Sequence, residues 1–174
     1  SLGVGERRMK HPLAEVFVET CREYGLRRVD DYCSGDTDGA YLVYVAQRDG
    51  KRSSSASAFL DEATMRRPNL TIVTGATVDK VLVENGRATG VRFVRDGATE
   101  TIDCRREVIV SAGTLQSPAI LMRSGIGPAE QLRSLGIDVV RDAPQVGRNL
   151  QEHASYASMF QVDIPTWNTM MRPL

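Results

Sequence analysis

Serine, histidine and carboxylate side chains, the set used by acyl-transfer enzymes, occur together in the second half of the chain. Ser111 and Ser117 lie in one short stretch, and Glu152 and His153 follow further along. A nucleophilic serine of this kind normally sits in a Gly-x-Ser-x-Gly turn. Neither serine is flanked by both glycines. The sequence therefore disfavours a hydrolase.

Cysteine spacing argues against metal chemistry. Cys21, Cys33 and Cys104 are widely separated, with no Cys-x-x-Cys pair and no nearby pair of histidines. Protein zinc sites usually bring such ligands in at close spacing. We expect no metal site and three reduced thiols, which is typical of a cytoplasmic protein.

A run of small residues after an apolar segment could admit a ligand. Val108–Val110 is apolar without alternation and is followed by Ser111, Ala112 and Gly113. The apolar run predicts a strand buried on both faces of a parallel sheet. Ligands of α/β folds gather beyond the carboxyl ends of such strands, where small side chains allow close approach. Plain packing uses small residues as well, so spacing alone leaves both interpretations open.

Both helices and strands are expected around this turn, which predicts a mixed α/β fold. Before residue 70 we expect three elements, namely a helix at Pro12–Tyr24, a strand at Tyr41–Ala46 and a helix at Ala56–Arg67.

Two hairpin signals follow in the middle of the chain. Asn85-Gly86 and Asp96-Gly97 separate β-branched runs, which predicts a three-stranded antiparallel meander between Val78 and Cys104. Beyond the small-residue turn we expect a helix opened by Ser117 and Pro118, a helix at Pro128–Leu135 and a short strand at Ile137–Val140.

Composition limits the classes of partner. The chain has 174 residues, of which 41% are hydrophobic and 25% charged, with 22 basic and 22 acidic side chains and no formal net charge. A neutral chain has no overall attraction to nucleic acid or to an anionic membrane. No apolar stretch is long enough for a transmembrane helix, and no signal peptide is evident at the start. We expect a soluble, cytoplasmic globular chain that does not bind nucleic acid.

Several sequence motifs of the chain resemble those of a known family. Gly113–Gly127 resembles the second signature of the glucose-methanol-choline (GMC) oxidoreductases, with its small-residue turn, its Ser-Pro helix start and its Ser-Gly-hydrophobic-Gly close. Shorter matches include Gly50–Ser53, Arg67–Leu70 and Val146–His153. Together they cover the chain from about His11 to His153 and are similar to the choline dehydrogenase-like members.

The resemblance implies a discontinuous domain layout. It assigns residues 1–66 to a partial substrate-domain segment, 67–150 to part of a doubly wound FAD-binding domain with an antiparallel meander, and 151–174 to the start of a second substrate-domain segment. The chain would then be an internal fragment in which neither domain is complete.

The resemblance also implies chemistry. Members of this family oxidise an alcohol: a base takes the hydroxyl proton and hydride passes to FAD. The Gly-x-Gly-x-x-Gly turn that holds the FAD pyrophosphate in the family is absent here. The family's catalytic histidine lies beyond Leu174, so we expect no catalytic residue in this chain.

Cofactor contacts carry over from the resemblance at four positions. Val78 corresponds to the residue whose backbone pairs with the adenine of FAD. Ser111, Ala112 and Gly113 correspond to a turn near the adenosine and the diphosphate.

Other functions stay open at this point. The main expectation is a fragment of an FAD-dependent alcohol or choline-type dehydrogenase or oxidase that acts on a small alcohol and is inactive by itself. The alternative is a non-enzymatic or degenerate module that binds a nucleotide or a partner. Lyase chemistry on a cyanohydrin is a third possibility within the family. Exposed edges of an incomplete sheet also predict self-association.

Overall fold

The computed structural model describes residues 1–170 and contains two units. The first unit joins Ser1–Thr71 to the segment that begins at Ser158, and the second is Ile72–Ala157. The end of the predicted 151–174 segment, from residue 171 onward, lies outside the described residues. No helix within residues 1–170 is both long and apolar enough to cross a bilayer.

The first unit is built on one regular helix, α1, at Pro12–Glu23. It starts where the His11 Nδ1 accepts a hydrogen bond from the backbone N–H of Leu13 at 3.2 Å. It ends in a Schellman motif, in which the N–H groups of Gly25 and Leu26 bond back to the last turn and Gly25 adopts a φ of +91°. The predicted helix is confirmed.

The other elements of the first unit are short. They are a 3-10 turn at Tyr32–Ser34, strands β1 (Gln47–Arg48) and β2 (Lys51–Arg52), and helices α2 (Ser55–Phe59), α3 (Glu62–Met65) and α6 (Trp167–Met170).

Two predictions for the first unit are wrong. Tyr41–Ala46 is not a strand, because its one ladder contact is a bridge between Gly5 and Val45, and β-prone residues make a strand only where a neighbour pairs with them. The expected helix at Ala56–Arg67 is interrupted at Asp61, whose carboxylate accepts the Thr64 N–H at 2.8 Å and starts α3. Hydrogen bonds from Thr64, first from its side chain and then from its backbone, hold the pKa of Asp61 below its usual value.

The second unit contains the predicted meander. Strands β3 (Ala76–Glu84), β4 (Arg87–Arg95) and β5 (Ala98–Asp103) form an antiparallel sheet in that order. Both hairpin turns place an Asn or Asp at a φ of +50° and the following glycine at +76° or +78°, as a type I′ turn requires. The meander is confirmed, and the chain is of the expected mixed class.

Helices and one short parallel pair complete the second unit. They are α4 (Gly113–Arg123), β6 (Ile126–Gly127), α5 (Ala129–Ser134) and β7 (Arg141–Asp142), with β6 parallel to β7. Helix α4 begins four residues before the predicted Ser117 start, so that Pro118 lies inside the helix. The predicted strand at Ile137–Val140 is wrong, since pairing starts only at Arg141.

The predicted buried strand at Val108–Val110 is also wrong for this structure. The segment has no regular secondary structure, and Ile109 is 78% exposed. Within the described part of the chain, no backbone hydrogen bond reaches it from another strand. An apolar run becomes a buried strand only when neighbouring strands and a covering layer are present.

The core of the second unit lies between α4, α5 and the meander. Its buried apolar residues are Val81, Phe93, Ile120 and Leu132. Ser124 is buried among them, where its hydroxyl donates to the Ile120 carbonyl at 2.7 Å and accepts the Val81 N–H at 2.8 Å. This pair of bonds attaches the end of α4 to strand β3.

Removing the Leu132 side chain should destabilise the second unit. Leu132 is fully buried at 0% exposure, and a Leu→Ala change at such a site costs about 2–5 kcal/mol. Leu132→Ala should therefore lower the free energy of unfolding by that amount in urea denaturation followed by circular dichroism. Leu135→Ala, just beyond the same helix and 64% exposed, is the control and should change stability by less than about 0.5 kcal/mol. Equal effects of the two variants would contradict the assigned core.

Loss of the Ser124 hydroxyl should also be costly. Ser124→Ala leaves the buried Val81 N–H without its partner, which costs about 1–3 kcal/mol. The matched control is Ser134→Ala, because the Ser134 hydroxyl makes one exposed bond to the Gln131 carbonyl. Amide hydrogen exchange in β3 should accelerate in the first variant only, and unchanged exchange at Val81 would refute the role of this bond.

Candidate functional site

Three of the four predicted cofactor-contact residues line one cleft in the second unit. Val78, Ser111 and Ala112 face a space of about 260 Å³. Its other walls are apolar and come from β3, β4, residues 108–110 and α4, namely Val81, Val91, Val108, Ile109, Val110 and Ile120. A strand and a turn more than 30 positions apart in sequence therefore meet at this cleft.

The fourth residue, Gly113, lies in an adjoining and wider cleft that also includes Ala112. This space of about 750 Å³ is lined by residues 112–116 and 150–152. Gly113 has a φ of +83°, and a Cβ placed on it would meet no heavy atom within 4 Å. The turn is therefore strained for any other residue and open on the side where a side chain would be.

Helix α4 starts at this turn with no side-chain cap. Ala112 is its N-cap residue, and its own N–H donates to the Ser117 Oγ at 3.0 Å. The first N–H groups of a helix have no partner inside the helix and carry a partial positive charge. Gly113, Thr114 and Leu115, which line the wider cleft, supply these groups, so the start of α4 suits an anionic oxygen.

The space of about 260 Å³ that Val78 lines is the narrow cleft, and its strand side is shaped by an irregularity in β3. Val78 pairs with Phe93 and Lys80 with Arg92, so Asp79 is an extra residue on β3. Val78 itself is 37% exposed. Its carbonyl accepts a hydrogen bond from the Arg123 Nη2 at 3.2 Å, and the Asp79 carbonyl accepts one from the Arg123 Nε at 2.7 Å.

The residues considered for acyl transfer do not assemble. Glu152 and His153 are exposed and contact each other, with 3.6 Å between the His153 Nδ1 and the Glu152 Oε1. The Ser117 hydroxyl is engaged by the Ala112 N–H instead. Among the hydrogen bonds of residues 1–170, none joins either serine to His153, so a Ser-His-Glu site is not formed.

Metal ligands are likewise not brought together. Within residues 1–170, no group of three or more His, Cys, Asp or Glu side chains has a geometry that would hold a metal ion.

Arg123, Asp79 and Ser124 are the site residues that sequence reasoning missed. Arg123 and Ser124 lie inside the Gly113–Gly127 stretch, in which only the small residues were predicted to contact the cofactor. A basic residue in the last turn of a helix is ordinarily explained by the helix dipole. In the sequence alone, nothing links that arginine to Asp79, which lies 44 positions earlier.

Comparisons with known proteins identify the family. The family model described as GMC oxidoreductase matches residues 1–155. The oxygen-dependent choline dehydrogenase of Sinorhizobium fredii is 45% identical over 148 residues, which is 85% of this chain and 27% of that protein. The chain thus spans about a quarter of the length of this relative.

Solved structures show the same likeness. The pyridoxine 4-oxidase of Mesorbium loti superposes with a TM-score of 0.71 and 30% identity, covering 83% of this chain and 28% of that one. An FAD-dependent oxidoreductase from Chaetomium thermophilum gives a TM-score of 0.75 and 28% identity, covering 82% of this chain and 25% of that one. With a family model that matches most of its length, the chain belongs to the GMC oxidoreductase family.

Proposed function

We propose that this chain is part of an FAD-dependent oxidoreductase that acts on the CH–OH group of a small alcohol, and that its second unit holds the adenosine diphosphate half of FAD. The observation that carries the proposal is the meeting of Val78, Ser111 and Ala112 at one cleft, with Gly113 in the adjoining one.

The narrow cleft suits a planar base. Its volume of about 260 Å³ is slightly below the roughly 300–1,000 Å³ of whole-ligand pockets, so it fits one part of a ligand. Aliphatic walls such as Val81 and Ile120 offer apolar contact to the faces of a base. The Val78 carbonyl has a second lone pair beside the one that Arg123 occupies, and it can accept from an exocyclic amine.

The wider cleft suits a diphosphate. Gly113 leaves its surface open, and the uncapped N–H groups at the start of α4 attract negative charge. Bound FAD would supply the acceptor for the hydride of the alcohol. The residues of this chain bind and orient the cofactor, and we assign no catalytic residue among them.

The domain layout is part of the proposal. We assign residues 1–66 and 151–174 to the substrate domain and 67–150 to the FAD-binding domain. The structure has two units, one formed by Ser1–Thr71 with the segment that begins at Ser158 and one formed by Ile72–Ala157. This division supports the assignment. Choline is the first alcohol to test, because the oxygen-dependent choline dehydrogenases are relatives.

Two further properties belong to the same proposal. The exposed Ile109 in an unpaired apolar segment favours self-association of the isolated chain, and a monodisperse monomer in light scattering would count against it.

Cys21, Cys33 and Cys104 are free thiols, which supports a cytoplasmic location.

A flavin titration tests the proposal directly. The 174-residue chain and the polypeptide of its complete reading frame would be purified and titrated with FAD while flavin fluorescence is followed, then assayed with choline and simple alcohols. We expect the complete polypeptide to bind FAD and oxidise an alcohol, and the 174-residue chain alone to show no turnover. A complete polypeptide that binds no flavin would overturn the assignment in favour of a non-redox binding module.

A methyl group at Gly113 should weaken cofactor binding in addition to its effect on folding. Gly113→Ala and Gly136→Ala both place alanine at a positive φ, of +83° and +68°, with no heavy atom within 4 Å of the new Cβ. Both should therefore cost about 1–2 kcal/mol of stability. In the complete polypeptide, only Gly113→Ala should also lower FAD affinity, by about tenfold or more, because its methyl enters the wider cleft. Equal FAD affinities of the two variants would argue against a diphosphate at this turn.

A further inference from the structure

We propose that Arg123 is a positioning residue for the nucleotide site, since its guanidinium fixes the backbone of β3 where Val78 faces the narrow cleft. This inference rests on the proposed function. It assigns to Arg123 a role in ligand binding that is distinct from contact with the ligand, because Arg123 acts through the carbonyl groups of Val78 and Asp79.

The first step concerns the direction of those two carbonyls. In a regular strand, successive carbonyl groups point to opposite edges of the sheet. Here the carbonyls of Val78 and Asp79 both accept from one guanidinium, at 3.2 and 2.7 Å. The backbone is therefore turned at this point, in agreement with the extra residue on β3. Arg123 provides the donors that hold the turned conformation.

The second step concerns what holds Arg123. The Asp79 carboxylate lies between two arginines, with the Arg92 Nη2 2.6 Å from Oδ2 and the Arg123 Nε 3.7 Å from Oδ1. These side chains are between 32% and 40% exposed. Ion pairs at such exposure are screened and contribute little to stability, so their main effect is to orient the guanidinium.

The third step connects both halves of the site. Helix α4 begins at Gly113, in the wider cleft, and ends at Arg123 on β3. Eleven residues of helix, with Pro118 inside it, span about 16 Å. The Ser124 hydroxyl fixes the same end of this helix to the Val81 N–H. Arg123 thereby sets the position of the Val78 carbonyl relative to the turn that would hold the diphosphate.

The test separates the two halves of the cofactor. ADP contains the base and the diphosphate, whereas FMN lacks the adenosine. In the flavin-free complete polypeptide we expect Arg123→Met to weaken ADP binding by about tenfold or more in calorimetry, and to leave FMN binding, followed by flavin fluorescence, unchanged. A merely structural arginine would weaken both ligands alike together with thermal stability.

Two further variants sharpen this test. Arg95→Met is the matched control, since the Arg95 side chain, 41% exposed on the same sheet, pairs with the Glu100 carboxylate. It should bind ADP like the wild type. Arg123→Lys keeps the charge but has no planar fork to span two carbonyls, so its ADP affinity should lie between those of the wild type and Arg123→Met.

Each outcome decides the inference. Wild-type ADP affinity in Arg123→Met overturns it, and if that variant does not fold, wild-type ADP affinity in Arg123→Lys does so. If the wild-type polypeptide itself binds neither ADP nor FAD, the proposed function fails and the role of Arg123 fails with it. If the wild-type polypeptide binds ADP and FAD and the Arg123 variants bind ADP equally well, the role of Arg123 is refuted and the proposed function stands.

Discussion

The buried hydroxyl of Ser124 joins helix α4 to the edge of strand β3. It satisfies the Val81 N–H, which would otherwise be a buried donor without a partner. Because β3 is an outer strand of the sheet, its free edge is open to α4, and this bond fixes the end of the helix whose first residue is Gly113. Both clefts of the candidate site depend on that placement, since each uses residues from α4 or from the turn before it.

Local signals in the sequence were sufficient for the elements that depend on local contacts. The Asn-Gly and Asp-Gly pairs specify type I′ turns, and the flanking β-branched runs then pair with their neighbours in the chain. The Pro12 start and the Gly25 stop of α1 act within one helical turn. The failures at Tyr41–Ala46 and Val108–Val110 have a common cause: composition showed that these segments can be strands, but pairing depends on a distant neighbour that no local pattern specifies.

The candidate site was predictable in a similarly uneven way. Val78, Ser111 and Ala112 could be singled out from a family resemblance, yet their meeting at one cleft depends on the packing of α4 against β3. Asp79 and Arg123 escaped notice because an acid and a base 44 positions apart carry no mutual signal in one sequence. Their pairing follows from the bulge in β3, and bulges have no reliable sequence signature beyond the register they disturb.

The meander has a consequence for the order of assembly on the ribosome. Strands β3, β4 and β5 follow one another between residues 76 and 103, and each pairs with its nearest neighbour in the chain. Low contact order of this kind favours rapid folding, so this part can form while later residues are still being synthesised. During that interval the apolar Val108–Val110 segment, with Ile109 facing solvent, is an adhesive surface. Apolar surface that is exposed during folding favours aggregation, so we expect this segment to be a binding site for a chaperone while it is uncovered.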